Sequence, residues 1–190
     1  MVALSILQTS LRVDTETADG PTSSASRAIS VALWVERIAD WFGWAIAGLA
    51  TLAICLRGIG TPALWRDEMA TWWASTVPWD DFIRLIGRVD AVMAPYYVFM
   101  RGWIAVVGDS ATAMHLPSAL AMAGTAAVLV CLGRKLFGPW IGLFAGMLMA
   151  IMPCTTRYGQ EARGYALSLL ACAVATHALV LALENPRWVR

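Results

Sequence analysis

Asp67 and Glu68 are adjacent in the stretch LWRDEMATWW, between Trp65 and the pair Trp72–Trp73. A positioned carboxylate can take the proton of a hydroxyl nucleophile, and two together can ligate a divalent cation. The plainer role is to begin a helix, where acidic residues gain about 0.3–1 kcal/mol from the dipole. A second polar cluster, RYGQEARGY, holds Arg157, Tyr158, Gln160, Glu161, Arg163 and Tyr165. Its arginines suit a phosphate diester through charge-assisted, forked hydrogen bonds. The alternative is snorkelling to lipid headgroups with a local Arg–Glu pair. Trp79, Tyr96, Tyr97 and Trp103 lie between the two clusters. They read either as an interfacial aromatic belt or as surfaces for sugar rings.

The elements that must position these residues are membrane helices. The 190-residue chain is 59% hydrophobic and only 14% charged, where soluble domains carry about a quarter. Its mean hydropathy is +0.63. A net charge of +1 with no basic cluster excludes a nucleic-acid partner. No phosphate-binding loop, dinucleotide fingerprint, zinc-protease motif or nucleophile elbow occurs. The four cysteines lie in or beside apolar runs without metal-ligand spacing and read as packing residues.

Spanning a hydrocarbon core about 30 Å thick takes about 20 apolar helical residues. Four stretches meet this, at about 41–59, 116–133, 138–156 and 164–183. A fifth, 91–108, has Arg101 at its centre and reads as a helix lying in the interface, with Arg101 toward headgroups. Residues 1–40 read as a cytoplasmic, largely disordered tail that ends in a weak amphipathic helix. With four spans, Arg134-Lys135 and the basic end at 184–190 are cytoplasmic as well. Both polar clusters then fall on the outer side. The outer loop, 60–115, reads as several amphipathic helices on the membrane surface. Met69, Trp72, Trp73 and Val77 form one apolar face, and Trp79, Phe82, Ile83 and Ile86 another. Asp80 and Arg84 pair, and Pro78 separates the two helices. His115 reads as a helix-start residue facing headgroups, and His177 as a group bonded to a neighbouring helix. The fold class is thus all-α integral membrane.

The ordered series LWRDE, D-x-x-x-x-PYY (Asp90 to Tyr97), DSATAMHLPSAL, GRKLFG and RYGQEARGYAL resembles the dolichyl-phosphate-mannose-protein mannosyltransferase-like family. These are GT-C-fold glycosyltransferases, among them the lipid A aminoarabinose transferases. The resemblance covers about residues 60–183. It implies an enzyme, here in a bacterial plasma membrane, that moves a sugar from a polyprenyl-phosphate carrier to a protein or lipid acceptor on the outer face. It also implies Asp67 as general base with Glu68 its neighbour, and Arg157, Tyr158, Gln160, Glu161, Arg163, Tyr165, Asp90, Tyr96 and Tyr97 around the carrier and sugar. A divalent cation, if used, would meet Asp67 and Glu68. Relatives carry arginine where this chain has His115, and a double proline where it has MAPYY. They are also more than twice as long. The chain therefore reads as the N-terminal module of such an enzyme, with further spans or a second polypeptide completing the carrier groove. The competing reading is a non-catalytic membrane subunit that keeps this module for packing or partner binding.

Overall fold

The computed structural model describes residues 23–88 and 91–184, and every regular element among them is helical. Asp90 and the first 22 residues of the expected tail lie outside the described residues. The chain divides into two compact units, Met1–Arg37 and Ile38–Arg190. Helix α1 (Ser23–Leu56) begins in the first, well before the expected start at Trp41, and there the Arg37 guanidinium lies over the Trp34 ring at 5.9 Å.

The second unit holds the site. Among the described residues, three helices are long and apolar enough to cross a membrane: Arg37–Leu56 of α1, α5 (Ala111–Phe137) and α8 (Tyr165–Glu184). The count is four if the bent pair α6 (Pro139–Ile151) and α7 (Pro153–Gly159) forms one span. This is an integral membrane architecture, but the continuous span expected at 138–156 is broken. The chain bends by 65° between α6 and α7. Pro153 has no N–H, and its ring clashes with the turn before it, so the helix cannot run through. The Thr155 hydroxyl donates to the Met149 carbonyl at 2.6 Å, satisfying an acceptor at the break. With 13 residues, α6 is about 20 Å long, short of the hydrocarbon thickness.

Helix α5 is central and packs against α6, α7 and α8. Ser110 starts it by accepting the Ala113 amide at 3.2 Å, and Gly138, at φ 103°, turns the chain into Pro139 at the head of α6. The α5–α6 approach is set by glycine. A Cβ on Gly142 would lie 2.5 Å from the Val130 carbonyl oxygen and from the Arg134 amide nitrogen. One on Gly146 would lie 2.4 Å from Val130 Cγ2. Small residues four apart permit such backbone contact between membrane helices. Gly142→Val is therefore expected to destabilise the detergent-solubilised protein by about 1–3 kcal/mol, read as a lowered thermal midpoint. Gly102→Ala, where a Cβ meets nothing within 4 Å, should stay within about 0.5 kcal/mol of wild type.

At the end of the bundle where α5 finishes, Arg134 approaches the Asp40 carboxylate at 3.5 Å, and Lys135 the Glu184 carboxylate at 2.6 Å. These pairs are exposed and contribute little energy. They do show that the start of the α1 span and the end of α8 both lie beside the end of α5 there.

At the other end, α2 (Arg66–Thr76), α3 (Trp79–Ile86), a 3-10 turn (Ala91–Met93) and α4 (Ala94–Val107) form the helical loop. They enclose their own core of Ala74, Phe82, Tyr96, Tyr97, Met100, Met114 and Ala162. Several details differ from the sequence reading. On α2 the buried line is Glu68, Thr71, Ala74 and Ser75, whereas Met69 and Trp73 of the expected apolar face are about half exposed. Large apolar groups beside a bilayer can face lipid, so small residues take the packing face. Trp79 and Ile83 of α3 are likewise exposed, and Arg84 pairs with Asp81 rather than Asp80. Arg101, expected toward headgroups, is partly buried and engaged within the helical loop. Its Nη2 donates to the Val77 carbonyl at 2.6 Å, and its guanidinium covers the Trp79 ring at 4.4 Å. A cation at the C-terminal end of α2 is favourably placed against the helix dipole.

Candidate active site

The two acidic neighbours have different environments. Glu68 is 2% exposed, with both carboxylate oxygens engaged. Oε2 accepts the Trp65 amide at 3.1 Å, closing the first turn of α2. Oε1 accepts the Ala162 amide at 2.6 Å and lies 3.0 Å from His115 Nε2. Burial raises its pKa, but the bonds from His115, Ala162 and Trp65 outweigh burial and hold it below the ordinary glutamate value. His115, read from sequence as a headgroup-facing residue, is fully buried, with Nδ1 2.9 Å from the Ile59 carbonyl. Glu68 thereby ties α2 to the start of α5, the end of α1 and the segment after α7.

Asp67 lies one helical step away, about 100° round α2, and is only partly buried. Its carboxylate forms no hydrogen bond or ion pair among the described residues, whereas its backbone oxygen accepts Arg163 Nη1 at 3.3 Å. Arg163 Nε is buried without a hydrogen-bond partner among them. The guanidinium thus reaches the backbone of the acidic turn and keeps a donor unspent.

The RYGQEARGY segment meets this turn directly. Gln160 Nε2 donates to the Cys55 and Arg57 carbonyls at 2.7 and 2.8 Å, covering the frayed end of α1. Ser118 Oγ donates to the Glu161 carbonyl at 2.6 Å. A cavity of about 270 Å³ opens here, lined by Trp65, Glu68, Arg157, Gln160 and Glu161 with Pro62 and Ala63. Burial, with the nearby Glu68 charge adding to it, raises the Glu161 carboxyl pKa against the pull of Arg157 and Arg163. Tyr158 and Tyr165 meet edge to face at 5.8 Å. Beyond them runs a groove of about 500 Å³ between α4 and α8, lined by Pro95, Tyr96, Phe99, Tyr165 and Leu167 among others. Tyr96 and Tyr97 are buried in the loop core, and burial raises the Tyr96 phenol pKa.

The structure thus gathers Asp67, Glu68, Arg157, Gln160, Glu161 and Arg163 at one end of the bundle, with Tyr158 and Tyr165 alongside. Sequence reading missed the His115–Glu68 contact, although the histidine stood out as a departure from an arginine position. The residues present do not fit a divalent cation. Glu68 is committed to protein donors, and no group of three or more His, Cys, Asp or Glu side chains able to hold a metal occurs among the described residues.

In this helical membrane protein an acidic turn meets an arginine-bearing segment beside an apolar groove. Residues 91–190 match the family model described as dolichyl-phosphate-mannose-protein mannosyltransferase, and the chain belongs to that family of GT-C-type glycosyltransferases. The matched stretch contains RYGQEARGY and begins after Asp67–Glu68. No curated protein and no solved structure gives a significant match.

Proposed function

We propose that this protein transfers a sugar from a polyprenyl-phosphate carrier to a hydroxyl of a protein or lipid acceptor at the outer membrane face. The observation that carries the reading is the unpaired Asp67 carboxylate beside Arg163, whose Nη1 is fixed on the Asp67 backbone while Nε keeps no partner among the described residues. Asp67 takes the acceptor proton as the acceptor oxygen bonds to the anomeric carbon. The bond from that carbon to the phosphate oxygen breaks, and polyprenyl phosphate departs with the electron pair. Arg157 and Arg163 stabilise the charge that grows on the departing oxygen. The groove beside Tyr165 receives the prenyl chain, and Glu68 holds the acidic turn in place. Arg134-Lys135 at the opposite end supports placing that end in the cytoplasm.

Binding of polyprenyl monophosphate to the purified protein tests this. Arg163→Gln removes a charge-assisted donor worth about 1.5–3 kcal/mol, so affinity should fall about tenfold to a hundredfold. Unchanged affinity would remove Arg163 from the carrier site.

One observation favours the partner-binding reading. Helix α8 buries only Ala166, and Leu169, Val174, Leu179 and Leu183 are exposed along it. Such a face suits lipid or a further transmembrane helix. If packing were the whole function, substitutions on this face would abolish it and Asp67→Asn would not.

A further inference from the structure

The hydrogen bonds around His115 require one particular proton. A backbone carbonyl can only accept, so the Ile59 oxygen 2.9 Å from Nδ1 places a proton on Nδ1. The other nitrogen, Nε2, faces Glu68 Oε1 at 3.0 Å, and that oxygen already receives the Ala162 amide at 2.6 Å. A neutral ring with Nδ1 protonated offers only a lone pair at Nε2. Set against an ionised carboxylate, with both side chains buried, the contact would be repulsive. The contact needs a proton between Nε2 and Oε1, and because both Glu68 oxygens already accept backbone amides, which favours the ionised carboxylate, that proton belongs on the ring.

We propose that His115 is a positioning residue for the transfer site: with both ring nitrogens protonated it clamps Glu68, and through Glu68 it holds the Asp67 turn against the 160–163 segment. The clamp stands on geometry alone, and only its effect on turnover rests on the glycosyl-transfer reading. An arginine at this position would keep its charge at any working pH. A histidine makes the clamp depend on pH. Other ionisable groups surround the pair: Glu161, whose charge acts on His115, with Asp67 on α2, Arg157 on α7 and Arg163 acting in turn on Glu161, and the Tyr96 phenol on α4 within reach of Glu68. Two acids and two arginines leave the local charge balanced, so the direct bonds decide the proton. The clamp is complete while that proton is bound and opens as pH rises and the proton leaves.

The chain has two histidines, so nitrogen-15 histidine labelling with His177→Gln leaves His115 as the single reporter. At neutral pH both ring nitrogens should carry protons, and raising the pH should remove the one on Nε2. In Glu68→Gln the ring should be neutral at the same pH, with the proton on Nδ1. A ring carrying one proton at neutral pH, or one unchanged by Glu68→Gln, would overturn the proposal. In transfer assays, wild type should lose activity on the alkaline side and His115→Arg should keep it. The same alkaline loss in both would also overturn it. The spectrum needs neither turnover nor a variant at position 115, so it decides the proton even where the glycosyl-transfer reading fails.

Discussion

Asp67→Asn should lower sugar transfer by about 10²–10⁴-fold while leaving the protein folded. Both halves of this expectation follow from geometry. The Asp67 carboxylate makes no hydrogen bond or ion pair among the described residues, so an amide of the same shape removes no structural contact. What the residue contributes to structure is its backbone oxygen, which receives Arg163 Nη1 and which asparagine retains. The amide cannot accept a proton from an acceptor hydroxyl. The loss should therefore appear in turnover, with carrier affinity and the thermal midpoint near wild type. Parallel loss of folding would assign Asp67 a structural role.

The neighbouring position should behave in the opposite way. Glu68→Ala strips the acceptor from the Trp65 and Ala162 amides and leaves His115 Nε2 facing nothing. Breaking a buried ionic pair by removing one partner costs about 3–5 kcal/mol. The thermal midpoint of the solubilised protein should fall sharply, and activity should fall as a consequence of that unfolding. The wild-type pH dependence follows from the lowered Glu68 pKa. A carboxylate whose pKa is lower in the folded than in the unfolded state adds stability that is fully present above the ordinary glutamate value of 4.5. That stability is lost as pH falls through the lower, folded value. Acid denaturation of Glu68→Ala should lack this component.

The contrast between positions 67 and 68 also marks how far the sequence could be read. Two adjacent carboxylates differ by only one position in their spacing to the rest of the chain, and no motif distinguishes them. Helix phase does. Glu68 continues inward through Thr71, Ala74 and Ser75, and Asp67 is turned away from that line. The sequence pointed to the other face, because Met69, Trp72 and Trp73 are the large apolar residues and hydropathy assigns such groups to a core. In a chain bounded by lipid, hydropathy does not separate the packed face from the lipid face. The long uncharged runs at the α1 span, α5 and α8 were legible for the complementary reason. Span length and lack of charge are one-dimensional requirements that any membrane helix must meet.

The break at Met152 went unread, and the span was expected to run straight through it. Pro153 was visible, but hydropathy continues unbroken across it, and the bend appears only when the missing hydrogen bond is counted. Arg101 shows the same limit. Its charge was plain, and its partner, the Val77 carbonyl, is set by a helix end 24 residues upstream. The meeting of LWRDEM and RYGQEARGY at one end of the bundle follows in sequence from the parity of four spans. The Glu68–Ala162 and Arg163–Asp67 hydrogen bonds join the two segments in space.

The most direct measurement of the central claim is release of polyprenyl phosphate from a labelled polyprenyl-phosphate sugar, in membranes containing this protein and a hydroxyl acceptor. The predicted result is acceptor-dependent loss of sugar from the carrier, with the label recovered on the acceptor. A carrier that binds yet keeps its sugar intact would contradict the account.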